Sequence, residues 1–195
     1  MSRLRLDWRG PWSLLESSTA SLFGSSVAPE CGFYVWCVPT DHGRLAYYVG
    51  ETGTGFARRH RGHLESYSTG SYSIHRATAL LAGTMESAYA GYVYSKRRRA
   101  ERLPEFKRRR SELDRELRAC LECLEVFTAQ AKLTQRERRR VETAILDTIL
   151  ANGAHVLGFQ NENWSRHPRL SSEQPISVEC STPLPLVRMV EQFEA

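Results

Sequence analysis

The stretch that decides the fold runs from Cys31 to Leu64 and reads CGFYVWCVPTDHGRLAYYVGETGTGFARRHRGHL. Two segments rich in aromatic and β-branched residues, GFYVWCV and LAYYVG, flank the turn-prone PTDHG, and this pattern predicts a β-hairpin. A glycine-rich bend, ETGTG, comes next, and the basic segment after it predicts a helix that ends near Ser66. The sequence therefore predicts a hairpin that leads directly into a helix.

Each predicted strand carries a tyrosine near a glycine, and the predicted helix carries an arginine and a histidine four residues apart, hence on one face. The residues concerned are Gly32-Phe33-Tyr34, Tyr48-Val49-Gly50, Phe56, Arg59 and His63. Two such triplets followed by F-x-x-R-x-x-x-H resemble the GIY-YIG nuclease family. The resemblance covers roughly residues 31–165, and the chain resembles the restriction-endonuclease-like branch more than the excision-repair branch.

The resemblance implies a role for each of these polar side chains in phosphodiester hydrolysis. In that family the tyrosine of the second triplet, here Tyr48, helps to deprotonate the attacking water, and that of the first, here Tyr34, orients groups around the phosphate. The arginine, here Arg59, stabilises the pentacovalent state, and His63 assists. One glutamate on a later helix, here Glu142, would hold a single divalent cation, Mg²⁺ or Mn²⁺. Such chemistry needs activated water, a cation for the phosphate and charge stabilisation of the leaving oxygen.

The helix that carries Glu142 is well marked in the sequence. Thr134 and Glu137 form a T-x-x-E capping box, which predicts the helix start. The apolar residues that follow recur at helical spacing, and they place Glu142 beside the buried face of the helix. A carboxylate in that position needs a reason, and a metal ion would provide one.

Two assignments within the resemblance stay open. The family has an asparagine after the glutamate helix, which here must be Asn161 or Asn163. The bend ETGTG is one residue longer than usual, so Arg58 competes with Arg59 for the catalytic position. The spacing from Phe56 favours Arg59.

The positive charge of the chain is concentrated in one segment. From Lys96 to Arg118 there are eleven Lys or Arg and five Asp or Glu, a surplus of six in a chain whose net charge is +5. A local basic excess is typical of a nucleic-acid contact, to which we assign Arg58, Arg61 and Arg108, Arg109 and Arg110. The alternative is a solvated helix whose acidic and basic side chains pair with one another at spacings of three and four residues.

These patterns predict an α+β fold, with a small antiparallel or mixed central sheet flanked by helices. We expect a single domain over residues 1–195. It would comprise an N-terminal packing arm (1–30), a nuclease core (31–165) with an inserted strand and basic helix at about 74–118, and a C-terminal extension (166–195). Within the insertion we predict a short helix over 73–82, a strand over 88–95, and a helix with Pro104 in its first turn.

Several other classes of function are disfavoured by the sequence. No apolar run is long enough to span a bilayer and no signal-peptide pattern is found, so we expect no membrane partner and a cytoplasmic location. The five cysteines show no disulfide framework, and Cys120-x-x-Cys123 lacks a second pair for a zinc site, which favours buried thiols. Gly50 to Gly55 has the glycine spacing of a phosphate-binding loop but no following lysine. We interpret His75 as a surface residue.

The sequence thus predicts a metal-dependent endonuclease that acts on DNA, with a duplex as the expected substrate and a homodimer left open. Two alternatives remain. One is a non-catalytic DNA-binding or assembly module that keeps the nuclease fold. The other is a nuclease for RNA or branched DNA.

Overall fold

A computed structural model describes residues 2–93, 96–159, 166–182, 184–186 and 192–195. The strands are β1 (Ser2–Trp12), β2 (Gly32–Thr40), β3 (Gly43–Thr52), β4 (Ile74–His75), β5 (Ser87–Tyr89), β6 (Glu125–Gln130), β7 (Ile176–Thr182) and β8 (Gln192–Glu194). The helices are α1 (Phe56–Ser68), α2 (Ala77–Leu81), α3 (Lys96–Arg108), α4 (Arg110–Glu122) and α5 (Gln135–Ala151). This mixture confirms the α+β class, and the predicted hairpin β2–β3 leads into α1 as expected.

Six of the strands form one mixed sheet in the order β3-β2-β6-β1-β7-β8. Only β1 and β7 are parallel among these neighbours; the other pairs are antiparallel. The prediction of an N-terminal packing arm is therefore wrong for residues 2–12, because they form β1, which lies between β6 and β7 inside the sheet. Its segment RLRLDWR alternates polar and apolar residues with the period of a strand, and the buried Leu6 and Trp8 face the core.

The two faces of the sheet carry different cores. Successive side chains of a strand point to opposite faces. In β2, Phe33 and Val35 therefore pack in the cluster that includes α5, whereas Tyr34 and Trp36 pack in the cluster that includes α1 and α4. We call these the α5 face and the α1 face.

A β-bulge in β3 modifies this alternation. The register of β2 with β3 shifts between Trp36 and Cys37, so β3 carries one extra residue there. As a result two consecutive residues, Tyr47 and Tyr48, both belong to the core of the α1 face. The hydroxyl of Tyr47 lies 3.2 Å from that of Tyr67 in α1, which ties the bulge to the helix.

The predicted insertion differs in detail from the expectation. Strand β4 occupies the start of the helix predicted over 73–82, so that α2 spans only Ala77–Leu81. The strand predicted over 88–95 begins one residue earlier and is three residues long, because β5 pairs only with the two-residue β4; residues 94 and 95 lie outside the described residues.

The basic segment forms two helices, α3 and α4, and not one. Pro104 lies inside α3 rather than in a first turn, which corrects the sequence prediction. The junction is anchored by Phe106, which is buried against Gly70; a Cβ on Gly70 would lie 2.8 Å from its ring. The helices thus pack beside the C-terminal end of α1.

None of the helices in the described part of the chain has both the length and the apolar character needed to cross a membrane.

Candidate functional site

An open cleft of about 580 Å³ lies beside β3, which is an edge strand of the sheet. Helices α1 and α5 approach this edge from opposite faces, and side chains from all three elements line the cleft. They include Tyr48 and Glu51 of β3, Arg59 of α1, and Arg138, Arg139 and Glu142 of α5. Of the site residues predicted from sequence, Tyr48, Arg59 and Glu142 therefore meet in one cavity.

Tyr34 lies behind the cleft and joins two other predicted residues. Its hydroxyl is 2.8 Å from Nε2 of His63 and accepts a hydrogen bond from Nε of Arg59 at 3.0 Å. Burial, with the nearby positive charge of Arg59, lowers the pKa of His63 to about 2, so its imidazole is neutral and Nε2 can accept the proton of Tyr34. Tyr34 therefore fixes the positions of Arg59 and His63 and does not itself line the cleft.

The glycine of the second triplet is required by the tyrosine of the first. Gly50 pairs with Tyr34 across β2 and β3, and a Cβ on Gly50 would lie 2.3 Å from the Tyr34 hydroxyl oxygen. Any larger residue at position 50 would have to displace the hydroxyl that holds Arg59. The two triplets thus form one packed unit, which explains physically why they occur together here.

A second buried hydrogen bond attaches α1 to the sheet. Nε1 of Trp36 donates to Nε2 of His60 at 2.9 Å, and Nδ1 of His60 lies 2.7 Å from the carbonyl oxygen of Phe56. Burial lowers the pKa of His60 to about 4, which keeps it neutral and able to accept from Trp36. Sequence reasoning missed the hydrogen bond between Trp36 and His60. The available signal was that Trp36 follows Tyr34 by two residues and so lies on the same face of β2.

Tyr48 is almost buried but reaches the cleft. Its ring centroid lies 6.0 Å from that of Tyr34 and 5.3 Å from that of His63. Burial and the proximity of Tyr34 raise its pKa, and Arg59 opposes this only in part. In the protein alone the Tyr48 hydroxyl is therefore protonated at neutral pH, and the side chain contributes to the lining of the cleft.

Glu142 faces a second carboxylate that the sequence analysis did not single out. Burial raises the pKa of Glu142 to about 7, and the charge of Glu51 adds to this effect, while Arg59 and Arg139 oppose it. Glu51 is held by Nε of Arg138 at 2.6 Å, and the Arg138 guanidinium packs against Gly53, where a Cβ would lie only 2.5 Å away. Glu51 directly follows the second triplet, and this position in the sequence could have indicated that Glu51 lies near the site.

The donor set suits a hydrated divalent cation better than a cage of protein ligands. Among the described residues, no group of three or more His, Cys, Asp or Glu could hold a metal ion. Glu142 offers one carboxylate in an open polar cleft, and Mg²⁺ commonly keeps several waters beside one or two carboxylates. Asn161 and Asn163, the predicted asparagine alternatives, lie outside the described residues.

The predicted nucleic-acid residues fall into two groups. Arg58 and Arg61 are exposed on α1, and Arg61 is 3.7 Å from Glu16. On α3 and α4, Arg109 bonds Glu105 at 3.1 Å and Glu112 at 2.7 Å, and Arg110 lies 2.8 Å from Asp114. Arg108 is exposed and has no ion pair within the described residues. The pairing of Arg109 and Arg110 is what the solvated-helix alternative expects.

The structure also bears on two further sequence interpretations, those of His75 and of the cysteines Cys120 and Cys123. His75 is buried at 5 % exposure in β4, which corrects its assignment as a surface residue. Cys120 is buried and Cys123 partly so; neither forms a disulfide, and burial raises the pKa of Cys120 to about 12. Such a thiol is unreactive at neutral pH, as expected of a packing residue.

Comparison with protein-family models gives no match, and comparison with curated proteins and with solved structures gives none either. The geometry of the cleft and the residues that form it are therefore the evidence that bears on function.

Proposed function

We propose that this chain is a metal-dependent endonuclease that hydrolyses phosphodiester bonds in duplex DNA. The observation that carries the proposal is the meeting of Tyr48, Arg59 and Glu142, from three separate elements, in one open cleft. Tyr34 and His63 lie behind this cleft, and the Tyr34 hydroxyl forms hydrogen bonds with both His63 and Arg59. The five residues combine a phosphate-binding cation, a carboxylate for a metal and polar groups for water.

Arg59 is suited to bind the scissile phosphate. Its Nε is fixed by the buried Tyr34 hydroxyl, while the side chain remains exposed in the cleft. The hydrogen bond to Tyr34 already restricts the side chain, so its other N–H groups can donate to phosphate oxygens with little further loss of conformational entropy. A cation held in place before the reaction stabilises the developing negative charge of the transition state at little cost of reorganisation.

Tyr48 is placed to orient the attacking water. Because its pKa is raised in the protein alone, its hydroxyl acts there as a hydrogen-bonding group and not as a phenolate. A divalent cation held by Glu142 would supply positive charge that lowers the pKa of nearby groups and stabilises the leaving oxygen. Glu142 must be ionised to hold it, so its raised pKa makes cation binding stronger above about pH 7 than below it.

The first test is incubation of the purified protein with supercoiled plasmid, with and without Mg²⁺ or Mn²⁺. The proposal expects nicked or linear DNA with the metal and intact plasmid when a chelator is added. Binding of duplex without cleavage in either metal would favour the non-catalytic module instead.

A further inference from the structure

Gly62 is a glycine that the fold itself does not require. It lies inside α1 and is exposed, and a Cβ added there would meet no atom within 4 Å. Glycine within a helix is less favourable than alanine, because it loses more backbone freedom on folding. The protein therefore gives up helix stability at this position without a packing reason.

The other glycines show how unusual this is. Eleven of the thirteen either have a positive φ or would bring a Cβ within 3.0 Å of another atom, and the remaining two are Gly24 and Gly62. Gly24 lies in a single 3-10 turn and not within an α-helix. Gly62 is thus the one glycine within an α-helix that neither backbone conformation nor packing explains.

Two exposed arginines lie close to Gly62 on α1. Arg58 lies one turn before it and Arg61 directly before it, and both are exposed. Arg58 has no ion pair among the described residues, and the contact of Arg61 with Glu16 joins two side chains that are 62 % and 70 % exposed. The Arg61 guanidinium also lies 5.2 Å from the ring centroid of Phe23. Exposed contacts of these kinds contribute little, so both guanidinium groups can exchange them for a partner. Two acidic residues lie near this surface: Glu16 beside Arg61, and Glu65, which follows Gly62 on α1.

We propose that the sugar-phosphate backbone of a DNA duplex lies directly against α1 at Gly62, with Arg58 and Arg61, which both precede it on the helix, contacting neighbouring phosphates. A missing side chain lets another backbone approach the helix closely. The charge of this face fits a polyanion. Arg59 is one turn from Gly62 and lines the cleft, so a strand held here continues toward the reacting phosphate. The inference rests on the proposed function and names the surface through which that site holds its substrate.

The test compares wild type with Gly62→Ala, using Gly24→Ala as the control because it adds the same methyl group to open space elsewhere. Thermal midpoints and affinities for a labelled duplex are measured without divalent cation, at several salt concentrations. The expectation is that Gly62→Ala raises the midpoint by about 2–4 °C, through helix propensity, and weakens duplex binding roughly tenfold. Arg58→Ala combined with Arg61→Ala should reduce the slope of log K against log salt by about 0.9 for each lost contact.

The outcomes separate the two proposals. Wild-type affinity in a stabilised Gly62→Ala variant overturns this inference, as does an equal loss in Gly24→Ala or a lowered midpoint in Gly62→Ala. If wild type cleaves plasmid in the presence of metal while Gly62→Ala binds duplex normally, only the inference fails. If wild type neither binds nor cleaves duplex, the proposed function fails with it.

Discussion

The two faces of the sheet are both buried, but they are built from different chemistry. On the α5 face, Phe33 and Val35 pack against Val141 and Ile145, and the contacts are apolar. On the α1 face, the alternate residues of the same strand are Tyr34 and Trp36, and each donates a hydrogen bond to a histidine of α1. One strand thus supplies an ordinary core on one side and a set of directed polar contacts on the other.

The difference teaches where sequence changes can be tolerated. An apolar core accepts substitutions of similar volume at modest cost. A buried hydrogen bond fixes the identity of both partners, since removal of one leaves the other unsatisfied. The α1 face also positions Arg59, so its polar contacts serve the cleft as well as the fold. The predictions below test this contrast.

Among the changes on the α1 face, the largest effect is expected for Arg59→Ala. This change removes the cation that Tyr34 holds in the cleft and that we propose binds the phosphate, and loss of a transition-state donor typically lowers the rate on the order of 100-fold or more. Arg58→Ala is the matched control: Arg58 is exposed and lies outside the cleft, so its loss should weaken duplex binding while turnover at saturating DNA changes little. Single-turnover cleavage of both variants measures the difference, and the reverse ranking would show that Arg58 is the catalytic arginine.

Acid should destabilise the protein through the buried histidines that pack on the α1 face. His60 and His63 have ordinary pKa values when the chain is unfolded, but about 4 and about 2 in the folded protein, because burial favours their neutral forms. Below about pH 6.5 the unfolded chain therefore binds more protons than the folded one. Stability is then lost as the pH falls, by up to about 1.4 kcal/mol per pH unit for each histidine.

Urea unfolding at pH 6.5, 5.5 and 4.5 checks this, with His60→Gln as the comparison. Glutamine can still accept from Trp36 and donate to the Phe56 carbonyl, but it cannot be protonated, so the pH dependence should become shallower. An unchanged dependence in the variant would argue against His60 as one of the groups responsible.

A smaller effect is expected for Tyr34→Phe, which removes only the hydroxyl. It leaves Nε2 of His63 and Nε of Arg59 without this partner, which should lower the free energy of unfolding by about 1–3 kcal/mol. On the α5 face, Ile145→Leu conserves volume and should cost less than about 1.5 kcal/mol. Denaturant unfolding of both variants is the measurement; if the leucine variant loses more stability, the contrast between the faces is wrong.

The smallest effect is expected from the basic helices. The sequence predicts phosphate contacts from Arg108, Arg109 and Arg110, but the structure engages Arg109 and Arg110 in ion pairs with acidic residues of the same helical segment. Replacing all three with alanine should therefore reduce the salt slope of duplex binding by about 0.9, the value of one contact. A reduction near three contacts would restore the basic segment as the main binding surface.

Much of the fold was predictable from local patterns. The hairpin followed from its aromatic strands and turn residues, and α5 from Thr134 and Glu137, whose capping box is present in the structure. Strand β1 was missed although RLRLDWR alternates, because the whole of residues 1–30 was assigned to a packing arm. The short β4 and β5 could not be located, since strands of two and three residues are stabilised by each other and carry little pattern of their own.

The site was predictable only in part for a similar reason. Motif spacing selected Tyr48, Arg59 and Glu142, and the structure brings these three into one cleft. Spacing alone could not reveal Glu51 beside Glu142, or the bond between Trp36 and His60, because each depends on how helices approach the sheet. The β-bulge that places both Tyr47 and Tyr48 on one face likewise could not be predicted from the sequence.

The central claim, that the cleft between the two faces is a metal-dependent phosphodiesterase site, is tested most directly by plasmid cleavage with Glu142→Ala. Asp147→Ala is the matched control, because Asp147 lies on the same helix but is exposed and paired with Arg166 outside the cleft. In Mg²⁺ or Mn²⁺, wild type and Asp147→Ala should nick supercoiled DNA at similar rates. Glu142→Ala should remain folded and bind duplex without cleaving it. Wild-type turnover by Glu142→Ala would contradict the account.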